Sequence, residues 1–150
     1  MKTQFLLTAF VIITAISCSK EVDTIIPDQA TGKVSKTISF SLAQDRNYSD
    51  PYYNGVRAEV RLAIMMIRTA TNQEFLLWDS TITARGLNTY PERQNPVNIS
   101  KHFHHIDDNS ESISASYFVT YRDADDQVSN KGRNEFANPG TSVLTMPIRL

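Results

Sequence analysis

Residues 56–67 read Val-Arg-Ala-Glu-Val-Arg-Leu-Ala-Ile-Met-Met-Ile, and the secondary structure of this stretch decides the fold. Ala, Glu, Arg, Leu and Met all favour helix, and the segment is long enough for about three helical turns. Against that, Val56, Ala58, Val60, Leu62 and Ile64 alternate with Arg57, Glu59 and Arg61 before the run becomes fully apolar from Ala63 to Ile67. Successive side chains of an extended chain point to opposite sides, so a period of two marks a strand with one buried face. The stretch is read as a long central strand.

The same alternation recurs on either side. Val34, Ile38, Phe40 and Leu42 oppose Ser35, Thr37, Ser39 and Ser41, interrupted only by Lys36. Downstream, Phe75–Thr83 carries Leu76, Trp78 and Ile82 in alternation, and the turn-like Thr69–Gln73 joins it to the central strand as a hairpin. Val97, Ile99 and Phe103 suggest a short fourth strand after the Pro91–Pro96 loop. Ile113, Ala115, Tyr117, Val119 and Tyr121 alternate with Ser112, Ser114, Ser116 and Thr120 as a fifth. Leu144, Met146, Ile148 and Leu150 form a sixth, in which Pro147 demands an edge position or a bend because proline has no N–H for a ladder. Strands joined by loops, without a βαβ rhythm, predict an all-β, antiparallel two-sheet β-sandwich over residues 34–150. Trp78 resembles the buried tryptophan of immunoglobulin domains, but the flanking cysteines are missing, so the likeness is one of topology class.

Composition narrows the function. A chain of 150 residues with 41% hydrophobic content builds one domain with one core. Its 15 Lys and Arg against 16 Asp and Glu leave a net charge of −1, which gives no basic field for nucleic acid. The single cysteine excludes a disulfide framework, a Cys-rich zinc site and a CxxC redox pair. No serine lies in GxSxG, and none of the five glycines builds a phosphate-cradling loop. The expected protein is not an enzyme and needs no cofactor.

The amino terminus supplies an address. Lys2 is followed by an uncharged stretch from Phe5 to Ile16 and then by Ala15-Ile16-Ser17-Cys18. An apolar run of about 12 residues is short of the roughly 20 that span a bilayer as a helix. The segment resembles a bacterial lipoprotein signal peptide of the Bacteroidota type, although Ala15 stands where leucine is commonest and Ile16 is bulky. The resemblance implies removal of residues 1–17 and diacylglyceryl and acyl modification of Cys18, with palmitate-like chains holding the protein at the outer membrane. Two or more chains anchor stably where one holds only marginally. Residues 18–33, punctuated by Pro27, Asp28 and Gly32, then read as a lipidated tether. Ser19-Lys20-Glu21-Val22-Asp23 is similar to the Lys-plus-acidic tether of surface-exposed lipoproteins, and equally to a plain solvated linker. The layout of a lipidated cysteine, short tether and small all-β body also resembles the type VI secretion tethering lipoprotein, a transthyretin-like sandwich. That likeness covers architecture and no residue motif.

Three clusters are candidate sites. Tyr48, Tyr52 and Tyr53, set among Asn47, Ser49, Asp50 and Asn54, offer large rigid contact area with adaptable hydrogen bonding, suited to a protein or sugar. They serve equally well to cover an open end of the sandwich. His102, His104 and His105 with Asp107 supply the ligand types of a zinc or copper site, but at no established ligand spacing, and a solvated strand end accounts for them as well. Asp123, Asp125 and Asp126 resemble a calcium loop in outline, yet Gln127-Val128 follows where the EF-hand pattern requires an oxygen ligand and glycine. A charged hairpin turn is the simpler account. The sequence thus predicts a noncatalytic binding or assembly module, lipid-anchored at the outer membrane and facing the periplasm or the cell surface. Its partner would be an envelope protein, with a surface glycan or a metal at His102, His104 and His105 as alternatives.

Overall fold

A computed structural model describes residues 32–150; the expected leader, Cys18 and nearly all of the tether lie outside the described residues. The strands are β1 (Lys33–Ala43), β2 (Arg57–Arg68), β3 (Gln73–Gly86), β4 (Val97–Asp107), β5 (Glu111–Arg122), β6 (Val128–Ala137) and β7 (Val143–Arg149). They form a three-stranded sheet in the order β4-β1-β7 and a four-stranded sheet in the order β3-β2-β5-β6. The chain is therefore an all-β two-sheet sandwich.

The stretch with helix-forming composition is indeed a strand. β2 lies between β3 and β5, and its partnership with β5 runs unbroken from Arg57↔Arg122 to Arg68↔Glu111. Propensity yields here because alternation lets Ala58, Val60, Leu62 and Ile64 all enter the core. They meet Ile38, Phe40 and Leu42 of β1, Ile113, Ala115 and Val119 of β5, and Met146 and Ile148 of β7. Trp78 on β3 packs against this core with its ring 6.1 Å from Phe40, and Lys101 Nζ of β4 sits 5.0 Å from the indole centroid. That cation–π contact covers the gap between the two edge strands β3 and β4.

Two features depart from the sequence reading. The pairing of β1 with β7 is parallel, from Thr37↔Val143 to Ala43↔Arg149, while every other strand pair is antiparallel. β7 is an edge strand, as Pro147 requires. A seventh strand, β6, also joins the four-stranded sheet. Its sequence Val-Ser-Asn-Lys-Gly-Arg-Asn-Glu-Phe-Ala is almost entirely polar and exposed, so no apolar period announces it. Pairing with β5 creates it, with Gly132 opposite Phe118. A β-carbon at Gly132 would stand 3.2 Å from Phe118 Cδ2 and 3.1 Å from Tyr117 O, so the aromatic ring occupies the space the glycine leaves.

Lys36 carries the least expected contact. Its parity places it on the apolar side of β1, where it is 1% exposed. Its ammonium meets Asp108 Oδ1 at 2.6 Å, Asn138 O at 3.2 Å and Thr141 O at 3.1 Å, using all three donors. Asp108 Oδ2 in turn accepts from Gly140 N at 2.7 Å. One buried cation thus fastens β1 to the β4–β5 turn and to the β6–β7 turn. Burial pushes the Asp108 carboxyl up, but the bonds from Lys36 and from the Gly140 N–H outweigh it and leave the group below the usual carboxylate range.

Lys36→Met is expected to destabilise the fold by about 3 kcal/mol, because it strands a carboxylate and two carbonyls. Denaturant unfolding at pH 7 measures this. A carboxyl depressed in the folded state contributes fully above its unfolded value of about 3.9 and loses that contribution as pH falls through the lower folded value. The gap between wild type and Lys36→Met should therefore narrow in an unfolding series taken from pH 6 to pH 3.

Candidate functional site

At the end of the sandwich opposite the Lys36 clamp, β1 runs out into the tyrosine loop. Gln44 is buried there; its amide donates to Leu87 O at 3.0 Å and Tyr90 O at 2.8 Å, and its backbone N–H donates to Pro91 O at 2.8 Å. Tyr90 Oη donates to Ala58 O at 2.6 Å. These bonds hold the β1–β2 and β3–β4 connections together, and between them lies a cleft of about 290 Å3 lined by residues 44–47 and 92–94. Both signs of charge face it, from Asp45, Arg46, Glu92 and Arg93.

The structure gives the three tyrosines different roles. Tyr48 is buried, with Oη 2.6 Å from Asp45 Oδ1 and 2.5 Å from Leu150 O. Burial first, and then the Asp45 carboxylate, push its phenol well above the ordinary range. Burial raises the Asp45 carboxyl, but bonds from Tyr48 and Arg46 more than offset this and lower it. Tyr53 stands edge-on to Tyr48 at 4.8 Å, and Tyr52 edge-on to Tyr53 at 5.1 Å. The rings form a chain from core to solvent, and only Tyr52, 82% exposed, offers a face to a ligand. The loop is nonetheless built: Asp50 Oδ1 accepts from Tyr52 N at 2.8 Å, capping the short 3-10 turn Pro51–Tyr53.

The histidines lie on β4 at the outer face of the three-stranded sheet. His102 Nδ1 is 3.0 Å from Thr37 Oγ1, His104 Nδ1 is 3.0 Å from Ser35 Oγ, and Ser39 Oγ continues the ladder to Ser100 Oγ at 2.8 Å. The register shifts between Val34 and Lys36, and His105 takes up the extra residue at φ 62°. His102 and His104 therefore share a face, as their spacing predicts. Asp107 does not join them, because its carboxylate accepts from Asn109 N at 3.0 Å and Ser110 Oγ at 2.8 Å in the β4–β5 turn. Among the described residues, no three histidine, cysteine or carboxylate side chains gather as a metal-binding group. The Asp123 carboxylate is likewise committed to its own turn, accepting from Asp125 N at 3.0 Å and Gln127 N at 2.8 Å, while Asp126 adopts φ 61°. The Asp123–Asp126 segment is a hairpin turn between β5 and β6.

One surface escaped sequence reasoning. On the outer face of the four-stranded sheet, the register aligns Leu76 of β3, Met65 of β2, Ser114 of β5 and Phe136 of β6 in one row. Leu76 is 57% and Phe136 52% exposed at the two ends of the row, and Phe118, 45% exposed, lies two rows away on the same face, level with Arg61 and Gly132. Met65 and Leu76 sit inside longer apolar runs that mark neither as a surface residue, and only the register gathers them; β6, which contributes Phe136, has no apolar period to announce it. No protein family, curated protein or solved structure matches the chain in sequence or fold comparison, so these surfaces are read from their own chemistry.

Tyr48→Phe should cost about 1–2 kcal/mol by removing the one hydroxyl proton that Asp45 Oδ1 and Leu150 O share. Tyr52→Ala, at an exposed ring, should stay within about 0.5 kcal/mol. Equilibrium urea unfolding of both variants separates the structural tyrosine from the free one.

Proposed function

We propose that the protein is a noncatalytic binding or assembly module, held at a bacterial outer membrane by acyl chains on Cys18 and engaging another envelope protein. The observation that carries this reading is the row Leu76–Met65–Ser114–Phe136 on the outward face of the four-stranded sheet, with Leu76 and Phe136 exposed at its two ends and Phe118 exposed further along the same face. Exposed apolar side chains gathered on one face are characteristic of protein contact surfaces, whereas singly scattered ones need no explanation. The leader-like residues 1–17, the cysteine that follows them and the stretch before β1 support the address, since a body on a tether can reach a partner while its lipid stays in the membrane. The type VI secretion tethering lipoprotein is the architectural precedent for such a role.

A second reading, a surface glycan binder, draws support from Tyr52 beside the mixed-charge cleft. A sugar hydroxyl both donates and accepts, so it finds partners at Asp45 and Glu92 and at Arg46 and Arg93, while an exposed phenol ring can stack on a pyranose face. A metal-dependent role loses support from the commitment of Asp107 to its turn.

Cys18→Ala is expected to release the protein from the membrane fraction, and mass spectrometry of the wild-type amino terminus should find acyl groups on Cys18. A photo-crosslinking residue at position 136 should yield one discrete heavier species in intact envelopes, lost when Leu76→Ser is added. Crosslinks spread over abundant porins alone would refute the assembly role. Retention of a glycan by the wild type but not by Tyr52→Ala would favour the second reading. Protease shaving of intact cells tells whether the body faces outward.

A further inference from the structure

Three arginines crowd one end of the outer face of the four-stranded sheet. Arg57 on β2 and Arg122 on β5 are direct cross-strand partners, and Arg61 follows on the same face of β2. Like charges placed directly opposite on neighbouring strands destabilise a sheet, so this pair works against the fold. With Glu59, Ala84 and Thr120 the three line a depression of about 250 Å3. Only one carboxylate is well placed among them: Glu59 Oε1, 2.8 Å from Arg61 Nε. Arg57 Nη2 donates to Ala84 O at 3.1 Å, and Arg122 Nη1 lies 3.5 Å from Asp126 Oδ1, whose side chain is 83% exposed. Positive charge is therefore in excess here, although the whole chain carries −1.

We propose that this depression is an oxyanion site for a phosphate or sulfate group. A carboxylate can be satisfied by one guanidinium fork, whereas a tetrahedral anion presents oxygens in several directions and can meet guanidiniums arriving from separate strands. Its charge would relieve the repulsion between Arg57 and Arg122. The Thr120 hydroxyl adds a neutral donor, and the strand backbones fix where the three side chains start. The site is distinct from the apolar row and from the cleft beside Tyr52, and does not depend on the assembly role.

The test is thermal unfolding of the full-length protein in sodium phosphate or sodium sulfate against sodium chloride at matched ionic strength. Binding predicts a saturable rise in Tm, about 5 °C at ten times the dissociation constant, that chloride does not reproduce. Arg122→Gln should raise Tm in chloride, because it removes the like-charge pair, and abolish the response to phosphate and sulfate. Glu59→Gln should shift half-saturation to lower anion concentration. The source of the group is separated by co-sedimentation of full-length Cys18→Ala with phosphatidylcholine vesicles with or without phosphatidic acid. Arg122-dependent co-sedimentation with phosphatidic acid assigns the group to a lipid headgroup, whereas a response to the free anions alone assigns it to a soluble ester. Equal shifts in chloride and phosphate, or shifts unchanged in Arg57→Gln/Arg122→Gln, would overturn the proposal.

Discussion

The buried ammonium of Lys36 is the constraint on which one end of this sandwich depends. A charge withdrawn from water must find partners for every donor. Here the partners come from segments far apart in sequence: Asp108 in the turn after β4, and Asn138 and Thr141 in the turn before β7. Satisfying one side chain of β1 therefore fixes both turns against it. The next residue begins the consequence: Thr37 N donates to Ser142 O at 2.8 Å, and the parallel ladder of β7 against β1 follows. An apolar residue at position 36 could fill the space but could not specify which turns close over it.

The opposite end is held by neutral or exposed groups. The Gln44 amide and the Tyr48 and Tyr90 hydroxyls secure the loops through hydrogen bonds to carbonyls, and Leu150 N closes back on Ala43 O at 3.1 Å. This arrangement leaves a cleft with charged walls while the core beneath stays closed. The two ends thus divide the work: one fixes topology through a buried ion pair, and the other exposes polar groups on a rigid base. The broad outer face of the four-stranded sheet carries a different chemistry again, apolar toward Leu76 and Phe136 and cationic toward Arg57 and Arg122.

Sequence reasoning recovered the elements whose pattern is local. β1, β2 and β5 were legible because half of each strand enters the core, and Pro147 correctly required an edge for β7. The position of Lys36 was legible as a break in alternation, yet the break proved to be a buried cation on the apolar side of the strand. β6 was invisible because an edge strand exposed along most of its length needs no apolar period. Among the tyrosines, residue type alone could not separate buried Tyr48 from exposed Tyr52, since a phenol serves in either place once its hydroxyl finds a partner. His102 and His104 share a face as their spacing predicts, but His105 falls at the bulge and Asp107 is held by its own turn.

By itself, the sequence determined that this chain folds as a two-layer β structure, because alternation of apolar and polar residues is a property of the extended backbone and is read within a few residues. Only the tertiary structure decided which strands are neighbours, that the first and last run parallel, and which exposed side chains share a surface. Those outcomes depend on register between segments as distant as β1 and β7, and register is set by contacts that no local pattern encodes.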